Sequence, residues 1–298
     1  MAAEEECGLV PYLSKTDAHV NGLHLLLTYE CSFECDHCFV WSGPSQTGTM
    51  TVDTVDHIID EATKLGTIEW IYFEGGEAFL YYAILRHGVL QAKERGFKVG
   101  IVTNAYWANS ESDALEWLGP FEGVIDDFSV SSDDYHGSGE EYPNAEIARA
   151  AARQLEIPVD FISVDESSVH YRGRAAEKLA PEAPTRPWQD FTHCPWEDLR
   201  HPGRVHVDPF GHMHLCQGIS MGNLLERPLS EIVADFRPDD HPVVGPLLDG
   251  GPAELVRRYD LTHEDGYADH CHLCYEARRT LRSQFPDVLA PDQMYGKA

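Results

Sequence analysis

Residues Cys31 to Cys38 read C-S-F-E-C-D-H-C and follow a short apolar run, Leu23-His24-Leu25-Leu26-Leu27, that predicts a first β-strand. Thiolates are soft ligands that suit iron–sulfur clusters, zinc and copper(I). Three of them on one tight loop hold three corners of a cubane cluster and leave the fourth iron open to a substrate or cofactor. A cluster closed by four protein ligands stores or passes electrons instead. Zinc is the alternative: Cys35-x-x-Cys38 suits a zinc site or a redox dithiol, and His37 stands near enough to offer a further ligand. Cys31 is surplus to a dithiol.

Outward from that loop, the chain has 298 residues, enough for one large α/β domain or a large and a small one. Hydrophobic residues make up 43%, enough to build a real core, so wholesale disorder is not expected. No window reaches the length of apolar sequence that a membrane span requires. The start, M-A-A-E-E-E-C, has neither a basic nor an apolar signal region, so a cytoplasmic protein is expected. Eight cysteines in such a chain argue for metal or cluster ligation over a disulfide framework, because cytoplasmic thiols stay reduced. Seven fall in two spaced groups and Cys7 stands apart. With 50 acidic against 22 basic residues the net charge is −28, which disfavours nucleic acid as a partner. Solubility, or an acidic, salt-adapted proteome, accounts for that charge.

After the cysteine loop the pattern alternates. Val52 to Leu65 predicts an amphipathic helix, with Gly66 as its stop. Ile68–Phe73, Phe97–Thr103, Val124–Ser131 and Pro158–Val164 read as strands, separated by helices over Leu80–Arg95, Ser110–Leu118 and Pro143–Leu155. Strand and helix alternating in this way predict a parallel sheet with crossover helices, a barrel or part of one. The polar signatures all stand just after strands: the cysteine loop, Glu74 to Glu77, Asn104, and Ser131 to Asp134. In parallel α/β barrels that edge is where chemistry is assembled. Beyond Val164 the rhythm breaks into Arg172-Gly173-Arg174 and a proline-rich run. A β-hairpin follows over Arg204–Cys216, then a short helix over Pro228–Phe236 and a last helix begun by Cys271-x-x-Cys274. His206, His212 and His214 are expected on exposed hairpin strands, and His193, His270 and His272 flank cysteines that they can tune through outer contacts.

The residues Cys31-x-x-x-Cys35-x-x-Cys38 after a first strand, with Gly75-Gly76-Glu77 after the second, resemble the radical S-adenosylmethionine enzymes. The resemblance runs from about residue 23 to 282. It implies that the three cysteines hold a [4Fe–4S] cluster whose open iron chelates S-adenosyl-L-methionine. It further implies that His37 occupies the usually aromatic place before the third cysteine. Gly75 and Gly76 would let the methionine end approach, with Glu77 taking its ammonium group. Asn104, Ser131 and Asp133 match positions that touch methionine or ribose. Glu74 and Ala78 depart from the usual residues around that motif, and only five barrel strands are legible where the family usually has six.

Cys194, Cys216, Cys271 and Cys274 provide four thiolates, which suit a second, closed cluster or a zinc ribbon. With Gly222-Asn223-Leu224 and the short helix they resemble the shortened SPASM module called a twitch domain, which implies an auxiliary [4Fe–4S] cluster. The expected fold is thus α/β, a partial (β/α) barrel of five or six parallel strands plus a small hairpin-and-helix cluster-binding domain. The expected divisions are an extension (1–22), the barrel (23–165), a linker (166–192), the auxiliary-cluster domain (193–282) and a tail (283–298).

The implied function is hydrogen-atom abstraction from a C–H bond by a 5′-deoxyadenosyl radical, for oxidation of a small molecule, with flavodoxin or ferredoxin as electron donor. The alternatives are modification of a ribosomal peptide and, in another class, a zinc-binding structural protein. The sequence assigns no catalytic acid or base.

Overall fold

The apolar run ahead of the cysteine loop forms β1 (Gly22–Leu26), and the rest of the sheet grows from both of its edges. The computed structural model describes residues 20–136, 142–165 and 168–297; Cys7 and most of the N-terminal extension lie outside them. On one side of β1 come β2 (Trp70–Glu74), β3 (Lys98–Thr103), β4 (Asp127–Ser131) and β5 (Val159–Ile162), all parallel. After a two-residue strand β6 (Arg186–Pro187), the chain returns to the other edge of β1. There β7 (Arg204–Val207) pairs in parallel, followed by antiparallel β8 (His212–Cys216) and β9 (Ile219–Asn223). The result is one sheet of eight strands in the order β5-β4-β3-β2-β1-β7-β8-β9. Its outer strands are not joined to each other, so it is a partial barrel.

The connecting helices are α1 (Val52–Leu65), α2 (Tyr82–Glu94), α3 (Glu111–Leu118) and α4 (Asn144–Gln154). Thr51 caps α1 by accepting the Thr54 N–H, and Gly66 ends it in a left-handed conformation. Ser110 caps α3 through the Asp113 N–H. Val55, Ile58, Ile59 and Ala62 of α1 are fully buried in the core shared with Leu23, Leu25, Ile71, Phe73, Ile101 and Phe128 from the strands. Because side chains alternate along a strand, the intervening residues occupy the opposite face. There His206, His24, Tyr72, Gly100 and Asp127 follow one another in register across five strands.

The expected strands are longer than the observed ones. Val124 and Ile125 extend the apolar run of β4 but belong to a turn closed on the Phe121 carbonyl. The stretch expected to be a linker is also structured. It contains α5 (Arg174–Lys178), and β6 pairs with β10 (Gly266–Tyr267). The chain ends with α6 (Leu229–Asp235), α7 (Val244–Tyr259) and α8 (His270–Leu281). The Asp249-Gly250-Gly251-Pro252 kink within α7 hides its helical period from the sequence.

One expectation is corrected. The hairpin histidines are not exposed, because neither strand is a free edge: β7 lies against β1, and β8, which carries His212 and His214, lies between β7 and β9. His214 is fully buried, its Nε2 3.2 Å from Asp208 Oδ2, and His212 bonds the same carboxylate. His206 lies beside Glu74.

Candidate functional site

The loop after β1 holds its cysteines in a lattice of backbone bonds. The Phe33 N–H donates to Cys31 Sγ at 3.4 Å, the Ser42 N–H to Cys38 Sγ at 3.3 Å, and Asn104 Nδ2 to Cys31 Sγ at 3.5 Å. Burial pushes the Cys31 and Cys35 thiols up to about 12, so they ionise at neutral pH only with a bound cation to compensate. Arg174 clamps the loop. Its backbone N–H donates to Cys38 O at 2.9 Å, and its guanidinium to Cys35 O at 2.8 Å and Ser42 O at 2.5 Å. This buried arginine is a positioning element: it holds backbone carbonyls of the loop.

The turn after β2 approaches that loop backbone to backbone. A Cβ at Gly76 would stand 2.2 Å from Glu30 O, and one at Gly75 (φ +156°) would stand 2.7 Å from Thr28 O. The Gly76 and Glu77 N–H groups donate to Thr28 O and Glu30 O at 2.7 and 2.9 Å. Only glycine permits this contact. Cys31, Cys35, Cys38, His37, Gly75, Gly76, Asn104 and Ser131 all line one cavity of about 260 Å³. Eight of the residues expected to serve this site are therefore brought together.

Two others stand behind the wall. Glu77 is 1% exposed and accepts from Phe79 N–H, Thr103 Oγ1 and Asn104 N–H at 3.0, 2.8 and 2.8 Å. Burial pushes its carboxyl up to about 7 against the pull of those bonds. Asp133 bonds His136 Nδ1 at 2.8 Å and the Val164 N–H at 3.2 Å. His136 lines the cavity and packs edge-on against His37, whose pKa burial lowers to about 4. His37 Nδ1 is buried and has no hydrogen-bond partner among the described residues, so it is available to a ligand.

A second, smaller cavity is lined by Cys194, Cys216, Cys271 and Cys274 together with the buried guanidinium groups of Arg172 and Arg278. Arg172 Nη1 donates to Cys216 Sγ at 3.0 Å. Burial pushes the Cys274 thiol up to about 11, with Arg278 pulling the other way. Asp269 caps α8 by accepting the His272 N–H, so Cys271 stands in the first turn of a helix and Cys274 at the start of the second. His270 also lines the cavity and meets His193 ring to ring at 4.8 Å, whereas His272 accepts the Ala268 N–H. The segment Arg172-Gly173-Arg174 joins the two cysteine sites: one arginine holds the Cys216 sulfur and the other holds the Cys31–Cys38 loop.

Tetrahedral zinc with Zn–S of about 2.3 Å brings its sulfurs to roughly 3.8 Å from one another. Among the described residues, the groups of three or more ligand atoms within 4.8 Å of one another are His24–Glu74–His206 and His37–Asp133–His136, neither containing a cysteine.

Residues 25–136 match the family model of the Radical SAM superfamily. The chain is 29% identical over 111 residues to YydG of Bacillus subtilis, a protein named for candidate peptide biosynthesis; the match covers 37% of this chain and 35% of that protein. It is 35% identical over 83 residues to the tungsten-containing aldehyde ferredoxin oxidoreductase cofactor-modifying protein of Pyrococcus furiosus, covering 28% of this chain and 23% of that one. The chain thus spans only about a quarter to a third of the length of these curated relatives. Among solved structures it is similar to BtrN in complex with AdoMet and 2-DOIA, with a TM-score of 0.50 and 17% identity, covering 74% of this chain and 84% of that one. That likeness concerns the fold. With three cysteines and a double glycine meeting at one cavity, and with the family match over the strands that carry them, the chain bears a Radical SAM superfamily domain at residues 25–136.

Proposed function

We propose that this chain is a radical S-adenosylmethionine enzyme with two [4Fe–4S] sites, one open and one closed, that acts on a substrate C–H bond. The observation that carries this reading is the meeting of Cys31, Cys35 and Cys38 with Gly75, Gly76 and Asn104 around one cavity. When bound, the cluster and S-adenosylmethionine supply one-electron cleavage to methionine and a 5′-deoxyadenosyl radical that takes a hydrogen atom.

The chain's own residues position and shield that chemistry. Cys31, Cys35 and Cys38 would hold the open cluster, and Asn104 directs an N–H to the first of these sulfurs. Gly75 and Gly76 let the turn after β2 close on the Thr28–Glu30 backbone and so form one wall of the cavity beside the loop. Glu77 fixes Asn104 and the end of β3 while placing a carboxylate behind that end. His37, Ser131 and, through His136, Asp133 border the remaining space.

Cys194, Cys216, Cys271 and Cys274 would hold the closed cluster in a twitch-like unit, with Arg172 and Arg278 balancing its negative charge. A closed cluster beside the barrel suits oxidation, because a substrate radical must pass its electron on. We read the substrate as a small molecule and the electron donor as a flavodoxin or ferredoxin. The likeness to YydG favours a second reading, in which the substrate is a peptide.

The test is anaerobic reconstitution followed by dithionite and S-adenosylmethionine. Formation of 5′-deoxyadenosine that is lost in Cys31→Ala is expected. Protein that takes up zinc and no iron under those conditions contradicts the reading.

A further inference from the structure

Three adjacent strands carry a second set of metal-type ligands that the cysteine sites do not use. His24 on β1, Glu74 at the end of β2 and His206 on β7 lie on the sheet face opposite the helices. His24 Nδ1 is 3.0 Å from Glu74 Oε1, and His206 Nε2 is 3.1 Å from the same oxygen. All three ligand atoms lie within 4.8 Å of one another. Around zinc, with bonds of about 2.0–2.2 Å to nitrogen and oxygen, tetrahedral ligands stand roughly 3.4 Å apart, so small rotations suffice to admit an ion.

The set is held rather than loose. Tyr72 stacks flat on His24 at 4.5 Å and 14°, and Phe39 packs edge-on against His206 at 5.8 Å. Burial raises the Glu74 carboxyl, but attraction to His24 and bonds from both histidines outweigh it and keep the group ionised. The side chains remain 13%, 14% and 16% exposed, which leaves an approach for an ion. Glu74 and Phe39 also line the cavity that contains the cysteine loop. Two histidines and one carboxylate are a ligand set that catalytic zinc sites use with a fourth position left open.

We propose that His24 Nδ1, Glu74 Oε1 and His206 Nε2 bind one divalent ion of the zinc class, with its open position facing the cavity, where it takes an oxygen or nitrogen of the substrate. An imidazole binds an ion through one ring nitrogen with its remaining proton on the other. The ligands are separate from the cysteines, so binding of the ion does not rest on the radical reading, whereas its contact with substrate does.

The test uses the full chain with its clusters reconstituted without oxygen. The protein is stripped with a chelator, supplied with zinc, desalted, and assayed for zinc and iron. About one zinc per chain is expected at constant iron, with retention about tenfold lower in Glu74→Gln and in His206→Gln. Zinc absorption-edge spectroscopy on the unmutated protein gives a second readout: a nitrogen and oxygen shell at about 2.0–2.1 Å is expected. No retained zinc, a sulfur shell, or zinc gained as iron is lost would overturn the proposal. Iron content and 5′-deoxyadenosine formation in the same samples report separately on the cluster reading.

Discussion

Glu77 shows how one buried carboxyl ties the site to stability. Burial pushes it from the usual 4.5 up to about 7, so the folded chain holds this proton more tightly than the unfolded chain does. Its contribution is therefore fully present below about pH 4.5 and is lost as pH rises through about 7. Glu77→Gln removes that dependence. In urea unfolding without S-adenosylmethionine, the stability advantage of wild type over the variant is expected to shrink by about 3 kcal/mol between pH 4 and pH 8. A difference that does not vary with pH contradicts this account. Arg172 makes a comparable point at the other cysteine group. Arg172→Met removes a cation and an N–H from the Cys216 sulfur, so the potential of the proposed closed cluster should move negative, with Arg172→Lys recovering part of the shift. An EPR-monitored redox titration reads this, and an unchanged potential contradicts it. Which side chains these would be was only partly legible. The cysteines and glycines are marked by spacing along the chain. Arg174, Arg278 and His24 acquire their roles through contacts with residues far away in sequence, and no local pattern announces those contacts.

Among the elements, helices such as α1 and α3 were readable because caps and periodicity coincide, as at Thr51, Gly66 and Ser110, whereas the kinked α7 was not. Strand ends were less so, because apolar residues such as Val124 also fill turns beneath the sheet. The strand–helix rhythm breaks around Gly173, within the range expected to be a linker. Gly173 has φ +61°, and a Cβ there would stand 2.6 Å from both Cys38 O and Phe39 O. The segment is thus packed into the cysteine loop. Gly173→Ala meets backbone on that side and a disfavoured dihedral as well, so a loss of about 1–3 kcal/mol is expected. Iron held after reconstitution should fall in parallel. A chemical unfolding midpoint equal to wild type, with full iron, contradicts the packing argument.

For the molecule as a whole, alternating strands and helices specify a parallel sheet, and the polar residues after each strand specify which edge matters. They do not specify that the later hairpin returns to pair with β1. Val205 and Val207 satisfy a hairpin pattern whether β7 is a free edge or an interior strand, which is why its histidines were expected in water. That return brings His206 to Glu74 and sets both cysteine groups against the Arg172-Gly173-Arg174 segment. The central claim is that these two groups hold two clusters of different kinds. The most direct measurement is iron and sulfide content after anaerobic reconstitution of wild type and Cys35→Ala. About eight irons per chain, falling to about four in the variant, is the predicted result. Zinc in place of iron, or an iron content that Cys35→Ala leaves unchanged, would contradict it.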